Sequence, residues 1–134
     1  MAEVIGAVSA SLHLTKELMK YCQSFKSASA DAANLAQEVA AIAQVLQALR
    51  QSLQNPPPGV SFQQTSSSSL LSSVQDCQRR MKNLENSLAP HVSRLGKLFK
   101  RAKWPLEQQE TLENVEALHR FIQIFHFATT LDGL

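Results

Sequence analysis

The feature that most constrains this chain is a joint, Lys103-Trp104-Pro105-Leu106-Glu107, where a basic segment stops and an acidic one starts. Trp104 is the only tryptophan, and the proline after it bars a preceding helix from running through, because the residue before a proline is pushed out of the α region. Beyond the joint, Leu112, Val115, Leu118, Ile122, Phe125 and Thr129 recur at steps of three and four, the period of one helix face. Glu107, Glu110, Glu113 and Glu116 crowd the first turns, where the positive end of the helix dipole favours them. A helix over about 107–131 follows, with Trp104, Pro105 and Leu106 as its structural anchor.

A second break, Asn55-Pro56-Pro57-Pro58-Gly59, divides the part before the joint. Ahead of it, Ile5, Val8, Leu12, Thr15, Met19 and Cys22 make one stripe, and Leu14, Leu18, Tyr21 and Phe25 make another beside it. A band that wide predicts a helix over about 2–25 packed on more than one neighbour. Capping oxygens in Ser27-Ala28-Ser29-Ala30-Asp31 lead into a second helix over about 30–54. There Leu35, Val39, Ile42, Leu46, Leu49 and Leu53 step by four and three, as in a bundle seam or an intermolecular coiled coil. Residues 55–69, rich in Pro, Gln and Ser, read as a mobile polar loop whose serines could cap the next helix or be phosphorylated. A third helix is expected over about 70–88, with Leu70, Val74, Cys77, Met81, Leu84 and Leu88 on its buried side. Pro90 then either opens a fourth helix over about 91–103 or kinks a continuous one.

These segments fit one all-α domain, an antiparallel bundle of four to five helices, with Trp104 packed against the third or first helix. At 134 residues the chain can bury a real core, and its four glycines and near absence of β-branched alternation argue against sheet. Cys22 and Cys77 lack metal-site spacing and fall on apolar helical positions, so they read as buried reduced thiols of an intracellular protein. The formal net charge of +2 gives no ground for a nucleic-acid partner. No phosphate loop, metalloprotease helix or nucleophile elbow is present, and no cofactor is implied. His119 and His126 stand about 10 Å apart along one helix, too far to share a metal directly. An enzyme is not expected. The chain stops at Leu131-Asp132-Gly133-Leu134 directly after a strong helix, which reads as the N-terminal part of a longer protein.

Two surfaces draw a functional reading. In the first helix Ala2, Gly6 and Ala10 place a small residue at every fourth position, the spacing that lets helices approach closely, inside a bundle or in a membrane. Between Pro90 and the joint, Arg94, Lys97, Lys100, Arg101 and Lys103 oppose an apolar face of Val92, Leu95, Leu98, Phe99 and Ala102 with no acid among them. Such a helix suits an anionic membrane or an acidic partner, or else forms a solvated face paired with the glutamates after Trp104.

The opening Met1-Ala2-Glu3-Val4-Ile5-Gly6-Ala7-Val8-Ser9-Ala10, the heptad-like second helix, the Ser/Pro loop and the run Leu98-Phe99-Lys100-Arg101-Ala102-Lys103-Trp104-Pro105-Leu106, followed by an acidic helix, together resemble the N-terminal HeLo-like domains of fungal NLR-type (STAND) immune receptors. The resemblance spans essentially the whole chain and is most specific at the Lys-Trp-Pro-Leu joint. It implies an effector domain followed in the same chain by a nucleotide-binding oligomerisation module. The implied fold is similar to the four-helix executioner bundle of the animal necroptosis pseudokinase and to the helical N-terminal domains of some plant immune receptors. In that family, release from inhibition leads to self-association, with the N-terminal apolar helix engaging the membrane and causing cell death. Carried onto this chain, the role falls on Val4, Ile5, Gly6, Val8 and Leu12, in a cytoplasmic protein that joins the membrane on activation. A recruiting or oligomerising adaptor that leaves lipid alone is the alternative.

Overall fold

The structure is a computed structural model and describes residues 2–25, 30–55, 64–98 and 104–132. Four helices account for nearly all of them: α1 (Ala2–Phe25), α2 (Ala30–Gln54), α3 (Gln64–Leu98) and α4 (Gln108–Asp132). They pack as an all-α bundle in which α1 lies against α2 and α3, and α2 lies against α1 and α4. Contact between α3 and α4 is slight, and α1 and α4 stand at opposite corners.

Consecutive helices alternate in direction. Only four residues separate α1 from α2, so the two must fold back on one another. Phe25, the last residue of α1, meets Trp104 just before α4, which places the start of α4 at the end of α1. Nine residues cannot carry the chain back along the bundle between α2 and α3 or between α3 and α4, so α3 runs alongside α1 in the same sense. Arg80 donates to the Asn114 side chain at 3.0 Å and fixes the register of α3 against α4. In that register α3 outruns the start of α4 by about three turns.

The seam of α2 is buried along its whole length: Leu35, Val39, Ile42, Leu46 and Leu49 are fully enclosed and Leu53 nearly so. This seam is filled from within the chain, by α1 on one side and α4 on the other. Leu70, Val74, Cys77, Met81, Leu84 and Leu88 of α3 are buried as their spacing predicts. At roughly 1.5–3 kcal/mol for each large aliphatic side chain, these stripes supply the main driving force for the bundle.

One open alternative is decided and one expectation is corrected. Pro90 neither begins a separate helix nor stops one, since α3 continues through it to Leu98. Of the four to five helices expected, four are present among the described residues; 91–98 belong to α3, and 99–103 lie outside the described residues. The proline forfeits one backbone bond, to the carbonyl of Asn86; both residues are exposed, so water can serve that carbonyl. Second, the polar loop is shorter than composition suggested. Residues 64–69 are helical, which serines near a helix start tolerate, and the remainder of that loop, 56–63, lies outside the described residues.

Candidate functional site

The inner face of α1 carries Val4, Val8, Leu12, Leu14, Leu18, Cys22 and Phe25, all buried, with Ile5 half-buried beside them. Two hydroxyls interrupt this face. Thr15 Oγ1 donates to the Leu12 carbonyl at 2.6 Å, while the Ser11 hydroxyl is enclosed and has no hydrogen-bond partner among the described residues. A hydroxyl enclosed without any partner would cost about 1–3 kcal/mol relative to a paired one. Hydrophobic periodicity alone did not single out Ser11, because serine is neutral to a helical pattern.

Gly6 does not make the close contact inside the bundle that its spacing allows. Gly6 is exposed, and a Cβ built on it meets no atom within 4 Å. The outer stripe of α1 runs Glu3, Gly6, Ser9, His13, Lys16 and Lys20, all exposed. Of the residues assigned to the N-terminal helix, Val4, Val8 and Leu12 therefore face the core, and Gly6 faces away from it.

The joint holds as a local network. Trp104 and Phe25 meet edge to face, ring centres 5.3 Å apart. The indole Nε1–H of Trp104 donates to Thr111 Oγ1 at 2.9 Å, and that hydroxyl donates to the Glu107 carbonyl at 3.1 Å. The Thr111 amide donates to the same carbonyl at 2.9 Å, closing the first turn of α4. Leu106 is buried and Trp104 and Pro105 are half-buried, so the anchor packs against the first helix, one of the two predicted neighbours.

The basic segment divides. Arg94 and Lys97 fall on the C-terminal turns of α3, with side chains outside what is described; Lys100, Arg101 and Lys103 lie outside the described residues altogether. Lys82, earlier on α3, binds Glu85 Oε1 at 2.7 Å, and this hydrogen bond raises its pKa.

On α4, Thr111, Ala117, Leu118 and Phe125 are buried, but Leu112, expected on the apolar face, is 49% exposed, as are Ile124 (44%) and Phe127 (64%). The true inner stripe begins at Thr111, whose hydroxyl belongs to the joint. His119 Nδ1 stands 3.6 Å from Glu38 Oε2, linking α4 to α2 at the surface.

Among the described residues no group of three or more His, Cys, Asp or Glu side chains could hold a metal ion. Among the same residues no helix is long and apolar enough to cross a membrane. Compared with family models, with curated proteins and with solved structures, the chain matches none.

Proposed function

We propose that this chain is the N-terminal effector domain of an NLR-like receptor, inducing regulated cell death by self-association and by engaging membranes through its first helix. Support comes from the sequence resemblance to HeLo-like domains, and the observation that carries the reading is α1 itself. Its apolar face, Val4, Val8 and Leu12, is held inside the bundle, with one acid, Glu3, as the sole charged side chain before Lys16. Release exposes several large side chains, so it needs a driver, which assembly of neighbouring domains in an activated receptor supplies. Because α1 is not apolar enough to span a bilayer, it would act as an amphipathic segment within an assembly. The basic residues Arg94, Lys97, Lys100, Arg101 and Lys103 would draw the domain to anionic lipid, at about 1 kcal/mol for each one near the surface.

A second reading, a non-lytic adaptor, is favoured by the exposed Leu112, Ile124 and Phe127 of α4, which suit a protein partner better than solvent. Deletion of residues 2–12, scored for helicity and for leakage of anionic vesicles on forced oligomerisation, separates the two. The effector reading expects leakage from the intact chain and none from a truncated chain that remains folded. Intact vesicles in both cases leave the adaptor.

A further inference from the structure

We infer that the exposed apolar face of α4 is an interface for a second copy of this chain, which it meets through the outer face of that copy's α1, so that copies join head to tail. This deepens the self-association in the reading above, rests on it, and concerns the contact formed before α1 leaves the bundle. The outer stripe of α4 carries Leu112, Glu116, Arg120, Ile124 and Phe127 at helical spacing, with Glu113 beside it. Phe127 is the most exposed large apolar side chain among the described residues. Because α1 and α4 occupy opposite corners, both outer faces are open on one molecule at once.

Charge and size identify the occupant. Phe25 meets the Trp104 ring, whose indole is bonded to Thr111, so the end of α1 lies near the first turn of α4 and the two helices run antiparallel from about the same height. Lys16 and Lys20 of α1 then stand level with Glu116 and Glu113 of α4, while Gly6 and Ser9 stand level with Phe127 and Ile124. A neighbouring copy displaced sideways therefore sets lysines against glutamates at one end. At the other end it sets large apolar side chains against a backbone ridge with open space around Gly6. Neither Lys16 nor Glu116 has an ion-pair partner among the described residues. His13 and Arg120 meet midway and add no attraction. The alternative pairing of two α4 faces about a twofold axis leaves the lysines of α1 unused and, with the axis at Arg120, lays Glu113 and Glu116 on Phe127 and Ile124. Exposed ion pairs of this kind fix orientation more than affinity, so Phe127 and Ile124 carry most of the binding. Head-to-tail contacts close into a ring or continue as a filament.

Sedimentation of the 134-residue chain across a concentration series tests the inference. Phe127→Glu and Gly6→Trp alter exposed positions and leave the fold intact; each should weaken self-association by about tenfold or more. At a concentration where each variant alone is monomeric, their equimolar mixture should form a one-to-one dimer, since one retains a sound α1 face and the other a sound α4 face. Lys16→Glu with Lys20→Glu should weaken assembly, and adding Glu113→Lys with Glu116→Lys in the same chain should restore it. Assembly that Phe127→Glu abolishes and Gly6→Trp spares is an α4–α4 pair and overturns the inference. Assembly indifferent to both variants runs through other faces, which overturns the inference and leaves self-association standing. A chain monomeric at every concentration and on forced crowding at a vesicle removes both. Vesicle binding lost in Phe127→Glu without any change in mass assigns the face to lipid and overturns the inference.

Discussion

Trp104 shows how much one side chain can organise. Its ring closes the end of α1 through Phe25, and its indole N–H fixes the Thr111 hydroxyl that helps complete the first turn of α4. Trp104→Ala should destabilise the bundle by about 2–4 kcal/mol, below the full cost of an enclosed tryptophan because the ring is half-buried. Trp104→Phe, keeping most of the ring area, should cost about 1 kcal/mol through the lost hydrogen bond. Urea unfolding followed by circular dichroism measures both, and a melt unmoved by Trp104→Ala would remove the joint from the account. The two thiols make a second residue-scale test. Burial pushes Cys22 from its ordinary 9.0 up to about 11 and Cys77 up to about 12. The folded state holds these protons after the unfolded state has begun to release them, so the thiols favour folding fully below about pH 9. That contribution falls as pH rises through 11. Unfolding midpoints taken at pH 8, 9, 10 and 11 should decline over the last two steps, and Cys22→Ala with Cys77→Ala should flatten the decline.

At the scale of elements, helix existence and phase were written in the spacing of apolar residues, and continuity was not. The stripes of α2 and α3 predict the buried residues from Leu35 to Leu53 and from Leu70 to Leu88, because a two-sided seam leaves only one phase that encloses them all. Of the two readings left open at Pro90, α3 takes the continuous one; local rules could not choose, because they weigh one lost backbone bond and do not see the buried stripe that holds α3 up to Leu88. Pro90→Ala distinguishes the cases. In a continuous helix it restores the bond to Asn86 and should raise stability by about 1–3 kcal/mol; at the start of a separate helix it would be neutral or slightly harmful. Leu112 was placed on the inner face because leucine and threonine compete for adjacent phases at the start of α4. The bond from Trp104 to Thr111 decides that competition, and periodicity does not register a hydrogen bond.

For the molecule as a whole, the bundle was legible and its surfaces were only partly so. Gly6 and Ala10 at fourth-residue spacing do not reveal which way they point; that depends on which of two overlapping stripes α1 buries, and Val4, Val8 and Leu12 take the core, leaving Gly6 outside. The central claim is that α1 is stored in the bundle and released on assembly. Val8 is fully enclosed on its inner face, so alkylation of Val8→Cys by a water-soluble maleimide, located by mass spectrometry, reports release directly. Forced oligomerisation on anionic vesicles should raise labelling at residue 8 well above that of the monomer, with the rise coinciding with the onset of vesicle leakage. Labelling that stays at the monomer's rate while vesicles leak, or vesicles that stay sealed while residue 8 becomes accessible, would contradict the account.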